Sequence, residues 1–307
     1  MASLAGVERE AALGLPPEEL VLDPQERRAA VLRVIRSARR RLALSLFRCD
    51  DMAVLDELAA AMARGVSVEA LLTRRAKGWK KRLKGLGSFL KKVGAKVHRY
   101  SGPVLKYHAK YIVADDGPAL IASLNFTSKC FDKTCDFALV TYDPEVVSGL
   151  QKLFEMDCLA PGSSLPAGIS DRLIVGPDRA RVQLGALLQQ ARHRLRIIDP
   201  RVKDPAMVAL LKTLEARGVS VEVLGRGRMG GLLSHGKMIL VDQETAVIGS
   251  ISLSRPSLDS RREVAVKLQD PRCVHQLSGF FQALAAGRAA GKPGADGSFA
   301  QPKGSAS

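Results

Sequence analysis

Tyr107-His108-Ala109-Lys110-Tyr111-Ile112-Val113-Ala114-Asp115 returns later in the chain as Ser234-His235-Gly236-Lys237-Met238-Ile239-Leu240-Val241-Asp242. Each copy reads His-x-Lys, four further residues and an Asp, on a β-branched and apolar background. That composition predicts a short buried strand. Residues two apart on a strand share a face, so His108 and Lys110 are expected to project together, as are His235 and Lys237. An imidazole beside an ammonium makes a poor core pair and a good seat for an anion.

More travels with each copy. Ala119-Leu120-Ile121-Ala122-Ser123-Leu124-Asn125 follows the first, and Ala246-Val247-Ile248-Gly249-Ser250-Ile251-Ser252 follows the second. A carboxylate closes each unit: Asp136 lies 28 residues after His108, and Glu263 lies 28 after His235. The offset between copies is 127 at every one of these positions. Two ungapped units, each with a His, a Lys, a small hydroxyl residue and a trailing acid, are a duplication.

Duplication extends upstream. Ala63-Arg64-Gly65-Val66-Ser67-Val68-Glu69 recurs identically from Ala216 to Glu222, and Ala38–Leu42 matches Ala191–Leu195, both at an offset of 153. The first half therefore carries 26 additional residues before its His. They include Arg74-Arg75-Ala76-Lys77-Gly78-Trp79-Lys80-Lys81-Arg82-Leu83-Lys84. Trp79, Leu83, Leu86, Leu90 and Val93 share one helical face among lysines. Such a helix either packs its stripe on the sheet or presents a basic surface to lipid headgroups or a phosphate backbone.

These residues resemble the phospholipase D superfamily, whose signature is two His-x-Lys-x4-Asp motifs meeting at one site. The resemblance covers most of the chain. It implies an α/β fold of two pseudo-symmetric halves, each a mostly parallel sheet flanked by helices, with the active site in the cleft between them. It also implies roles: His108 as nucleophile, His235 as general acid and then base, and Lys110 and Lys237 on the phosphoryl oxygens. The two histidines are exchangeable at this level. Asp136 and Glu263 would each orient an imidazole, and Ser123, Asn125, Ser250 and Ser252 would bind the substrate phosphate. Asp115 and Asp242 are expected to be structural, on the opposite strand face. No metal or other cofactor is implied. The usual Gly-Ser-x-Asn pattern is altered at Ala122 and at Ser252.

The segments expected from turn and composition signals are a flexible leader over 1–22, a first half over 23–162, a linker over 163–171, a second half over 172–286 and a disordered tail over 287–307. A helix is expected from Pro24 through Arg41, a strand over 42–47, a helix over 52–64 and a strand over 66–72. The formal charge of +16 calls for an anionic partner. Five scattered cysteines without paired spacing point to a reduced compartment, and no run of about 18 apolar residues suggests a membrane span. The expected protein is cytoplasmic, works as a monomer and reaches the inner membrane face peripherally. On this reading it is a phospholipid phosphodiesterase or phosphatidyltransferase. A nuclease on DNA or RNA, and a degenerate non-catalytic binding protein, are the alternatives. His98, His193 and His275 are read as structural.

Overall fold

The structure, a computed structural model, describes residues 18–290. Alternating apolar side chains set its layers. In the first half the strands and helices are β1 (Glu19–Val21), α1 (Pro24–Ser37), β2 (Arg41–Leu46), α2 (Met52–Ala63), β3 (Ser67–Leu72), α3 (Lys80–Lys92) and β4 (Lys96–Arg99). They continue as β5 (Lys106–Tyr107), β6 (Tyr111–Ala114), β7 (Ala119–Ala122), α4 (Ser128–Asp132), β8 (Thr134–Cys135), β9 (Ala138–Thr141) and α5 (Pro144–Leu159). The second half holds β10 (Leu173–Gly176), α6 (Ala180–Gln189), β11 (Arg194–Ile198), α7 (Pro205–Ala216), β12 (Ser220–Leu224), β13 (Arg228–Met229) and β14 (Leu232–Ser234). It ends with β15 (Lys237–Val241), β16 (Thr245–Gly249), α8 (Arg255–Asp259), β17 (Arg261–Leu268) and α9 (Pro271–Ala290).

Two large sheets result, ordered β1-β9-β7-β6-β2-β3-β4 and β10-β17-β16-β15-β11-β12. Both are mixed, which corrects the expectation of mostly parallel sheets. Apart from the two-residue pairing of β5 with β17, only β2-β3-β4 and β11-β12 run parallel in them. The motif strands β6 and β15 are each joined to the next strand by a short turn, and a hairpin can only pair antiparallel. The 26 additional residues build α3 and β4, so the first sheet gains an edge strand for which the second has no counterpart.

Period-two burial divides the core. Ile112 and Ala114 face an outer cluster with Val31, Ile35 and Leu58 of α1 and α2, while Tyr111 and Val113 face a central one. In β15, Met238 and Leu240 face that same central cluster, and Ile239 and Val241 face Leu188 and Leu211 of α6 and α7. The central cluster takes residues from both sheets, from α5 and from α9, and so fuses the halves into one body. Burial of Leu83, Leu86 and Leu90 shows that α3 turns its apolar stripe inward. No helix among the described residues is long and apolar enough to cross a membrane.

Several expected boundaries move. Glu19–Val21 pairs with β9 instead of belonging to a loose leader, and α9 runs through Ala290 into the expected tail. Residues 1–17 and 291–307 lie outside the described residues. The helix expected to reach Arg41 stops at Ser37, because Arg41 already opens β2. Asp115 explains that stop. It sits in the turn after β6 with φ of 46°, and its carboxylate accepts the backbone N–H groups of Arg39, Arg40 and Arg41 at 2.7, 2.8 and 2.7 Å. Asp242, with φ of 49°, does the same for Arg192, His193 and Arg194. The motif aspartates are thus in turns, not on a strand face. Asp tolerates this left-handed conformation better than most residues.

Burial opposes ionisation of both aspartates, yet the three N–H donors hold each carboxyl below its ordinary value. Their contribution to stability is therefore full above that ordinary value and is lost as pH falls through the depressed one. Asp115→Ala is expected to cost about 1–2 kcal/mol in urea unfolding, since three donors lose a charged acceptor at a site water partly reaches. An unchanged midpoint would contradict this role.

Candidate active site

Of the four His-x-Lys residues, only Lys237 is on a strand, as the first residue of β15. His108 and Lys110 lie in the irregular stretch between β5 and β6, and His235 precedes β15. A bend there lets each histidine leave its own sheet and reach toward the other half. In the second copy the bend demands glycine: a Cβ on Gly236 would meet Cys135 O and the Phe137 ring at 2.7 Å. Gly236 N–H also donates to Cys135 O.

Each imidazole is paired with the other half's acid. His108 Nδ1 lies 2.7 Å from Glu263 Oε1, and His235 Nδ1 lies 2.8 and 3.0 Å from the two Asp136 oxygens. Both acids are buried, at 1% and 0% side-chain exposure, whereas His108 and His235 keep 12% and 28%. Lys110 Nζ stands 3.2 Å from both His108 ring nitrogens and donates to His108 O at 2.7 Å, and Lys237 Nζ donates to His235 O at 2.7 Å. A carboxylate on Nδ1 favours the tautomer with its proton there, leaving Nε2 with a lone pair.

The two pairs differ electrostatically. Burial, with Lys110, Lys237 and Lys106 nearby, pushes His108 well below the usual imidazole value. Burial lowers His235 too, but Asp136 pulls the other way. Glu263 is raised by burial. Burial would also raise Asp136, yet His235, Ser123 and Thr134 together hold it below its ordinary value. Ser123 Oγ donates to Asp136 at 2.6 Å and Thr134 Oγ1 at 2.5 Å, and Ser257 Oγ donates to Glu263. His235 is therefore the better holder of a proton and His108 the better neutral base.

The expected phosphate binders divide. Ser123 sits behind Asp136, accepting from Phe137 N, and is fully buried. Ser250 is locked to the backbone of Val264. Ser252, the departure from the usual asparagine, spends its proton on buried Asp199 at 3.0 Å. Only Asn125 has a polar atom, Oδ1, buried without a partner beside the cavity. The counterpart departure, Ala122, is sterically harmless: it has an ordinary backbone, whereas Gly249 has φ of 152° and Ala265 Cα 2.5 Å from where a Cβ would stand.

Both histidines open on a cavity of about 610 Å³. Arg48, Lys106, Arg201 and Arg261 line it, joined by Arg226, Arg228 and Lys237; Glu263 is the one acid among the lining residues. No spacing in the sequence marks these arginines as a group. Lys106 could have been found, because it extends the two-residue period to Lys106-x-His108-x-Lys110. Burial among Arg261, Arg48 and Arg201 lowers Lys106 to about 8. Cys130, Asp136 and His235 offer ligand atoms within 4.8 Å of one another. That grouping was not apparent from spacing. A metal there would have to displace the His235–Asp136 pair and the Ser123 and Thr134 donors. His98, by contrast, lies against Glu69 and Phe154, remote from the cavity lining.

This fold and paired-histidine cleft define a phosphodiester-handling class. The family profile described as "Cardiolipin synthase, PLD-like domain" matches residues 31–158 and 226–285, and the chain belongs to that phospholipase D-like family. Polyphosphate kinase of Mycobacterium tuberculosis is 25% identical over 226 residues, covering 61% of this chain and 30% of that protein. The chain thus spans less than a third of the curated relatives it matches. Among solved structures, polyphosphate kinase from Porphyromonas gingivalis superposes with a TM-score of 0.71 at 19% identity, over 86% of this chain and 46% of that one. Phosphatidylserine synthase from Haemophilus influenzae Rd KW20 gives 0.68 at 13% identity, over 87% and 85%. These likenesses establish the fold.

The exchanged acids are open to a direct check. In proton NMR, Glu263→Gln is expected to remove or shift the downfield Nδ1–H signal of His108 while that of His235 stays. Loss of the His235 signal instead would mean that each acid serves its own half.

Proposed function

We propose that the protein is a phosphodiester-cleaving transferase that works through a phosphohistidine on His108. The observation that carries the reading is the pair of exchanged His–carboxylate contacts with unequal proton affinity. His108 Nε2 attacks phosphorus as the bond to the leaving oxygen breaks, and His235 Nε2–H supplies that oxygen's proton. His235, now neutral, takes a proton from water or an alcohol, whose oxygen attacks phosphorus and expels His108. Asp136 and Glu263 fix the rings, and Lys110 and Lys237 oppose the charge gathering on the phosphoryl oxygens.

The cavity's charge bears on the substrate. Seven cationic lining residues against one acid repel choline or ethanolamine headgroups and suit a phosphodiester flanked by further negative charge. A phospholipid substrate is supported by the family's description, and an anionic headgroup would satisfy the same charge. The buried stripe of α3 argues against bilayer insertion through that helix.

Bis(p-nitrophenyl) phosphate separates the two histidines, because its leaving group departs without help from an acid. Wild type is expected to turn it over. His108→Ala is expected to release nothing, and His235→Ala to release about one equivalent and retain an acid-labile phosphoryl adduct by mass spectrometry. Turnover surviving His108→Ala contradicts the mechanism. The pH profile follows from the same assignment. With a phosphodiester whose alkoxide leaving group needs a proton, His235 must be protonated in the free enzyme, so kcat/KM is expected to fall as pH rises through a value below the ordinary imidazole value of about 6.5. Asp136→Asn removes the group that opposes the lowering and is expected to shift the fall to lower pH.

A further inference from the structure

A second cavity of about 560 Å³ adjoins the first on the His235 side. Arg48, Asn125, Leu233, Ser234 and His235 line both, whereas His108 lines only the first. A group bonded to the oxygen that His235 protonates would extend into this second space. Its far wall comes from the 26-residue addition to the first half, through Trp79 and Arg82.

A ladder of rings and guanidiniums leads from the first cavity to that wall. The Phe47 ring lies 4.5 Å from the His108 ring, and Arg48 Cζ lies 5.1 Å from Phe47 and 5.2 Å from Trp79. Arg82 Cζ lies 5.2 Å from Trp79 and is tied to Asp50 at 3.2 Å. Three polar atoms at the junction of the cavities are buried without partners: Arg48 Nε, Asn125 Oδ1 and Ser234 Oγ. Asn125 is only 4% exposed. Buried polar groups are normally satisfied, so three orphans in one place mark where a ligand's atoms belong.

We propose that this second cavity is a leaving-group subsite for a nucleotide, a proposal that rests on the assignment of His235 as the general acid. Ring and guanidinium planes stack on a base. Arg48 Nε and Ser234 Oγ donate to phosphate or sugar oxygens, and Asn125 meets a base or sugar edge. A cationic headgroup would face Arg48, Arg82 and Lys129 with only Asp50 to offset them.

Trp79 is the chain's sole tryptophan, so its fluorescence reports on this subsite directly. The test uses full-length His108→Ala protein, in which binding is separated from turnover. AMP and a thymidine dinucleotide are expected to quench Trp79, while inorganic pyrophosphate and glycerol 3-phosphate leave it unchanged. By calorimetry, Trp79→Ala is expected to weaken AMP binding about ten-fold or more, and Trp79→Phe to keep most of it. Arg82→Ala, an exposed change, is expected to weaken AMP and spare pyrophosphate. Equal response to pyrophosphate and AMP, or none to AMP, overturns the subsite. If the His108 adduct forms while AMP fails to bind, the subsite falls and the mechanism stands. If AMP binds but no adduct forms, the binding site stands and its assignment to a leaving group falls.

Discussion

Two contacts crossing between the halves, the 2.7 Å pairing of His108 with Glu263 and the hydrogen bond of His235 with Asp136, are the constraint on which the rest depends. Neither half can orient its own imidazole. Glu263 rides on β17 and His108 on the bend before β6, so the rings are aimed only when the two sheets are docked. The central core, shared by both sheets with α5 and α9, holds that docking rigid. Arg262, beside Glu263, adds a buried tie to Asp157 of α5 at 3.1 Å.

Such a site is costly to bury. Lys110 is 2% exposed, and burial pushes its ammonium well below the usual range. Glu263 and Asp136 oppose that shift, and the cation-bearing face of Phe47 adds to the support, with Lys106 and Lys110 Nζ at 4.4 and 5.2 Å from the ring. The arrangement leaves a concentrated positive field in a cavity that an anion would neutralise. Catalytic potential and folding cost share one origin here, the removal of like charges from water.

Much of this was legible in the sequence, for physical reasons. The β-branched, apolar run of Ile112, Val113 and Ala114 and the 127-residue offset identified duplicated strands, and the motif residues do meet in one cleft. The direction of the strands was not legible, because an apolar, β-branched run marks a strand without giving its partner's direction. Nor was the exchange of acids, since equal spacing within each copy suggests pairing within each half. The partners of Ser123, Ser250 and Ser252 were not legible either: their hydroxyls meet Asp136, the Val264 backbone and Asp199, since a hydroxyl near a site can serve a backbone or a carboxylate. The arginines of the cavity come from loops and from the first residues of strands, whose relative positions only the fold determines. Arg226 and Arg228 lie in the β13 approach to His235, and Arg201 follows β11.

The central claim is a single site, assembled from both halves, in which His108 carries the phosphoryl group. The most direct measurement is a crystal structure of His235→Asn protein soaked with a phosphodiester bearing a good leaving group. The account predicts phosphorus bonded to His108 Nε2, with Glu263 still on Nδ1 and Lys110 and Lys237 on the phosphoryl oxygens. A phosphoryl group on another residue, or Glu263 turned away from His108 in the adduct, would contradict it.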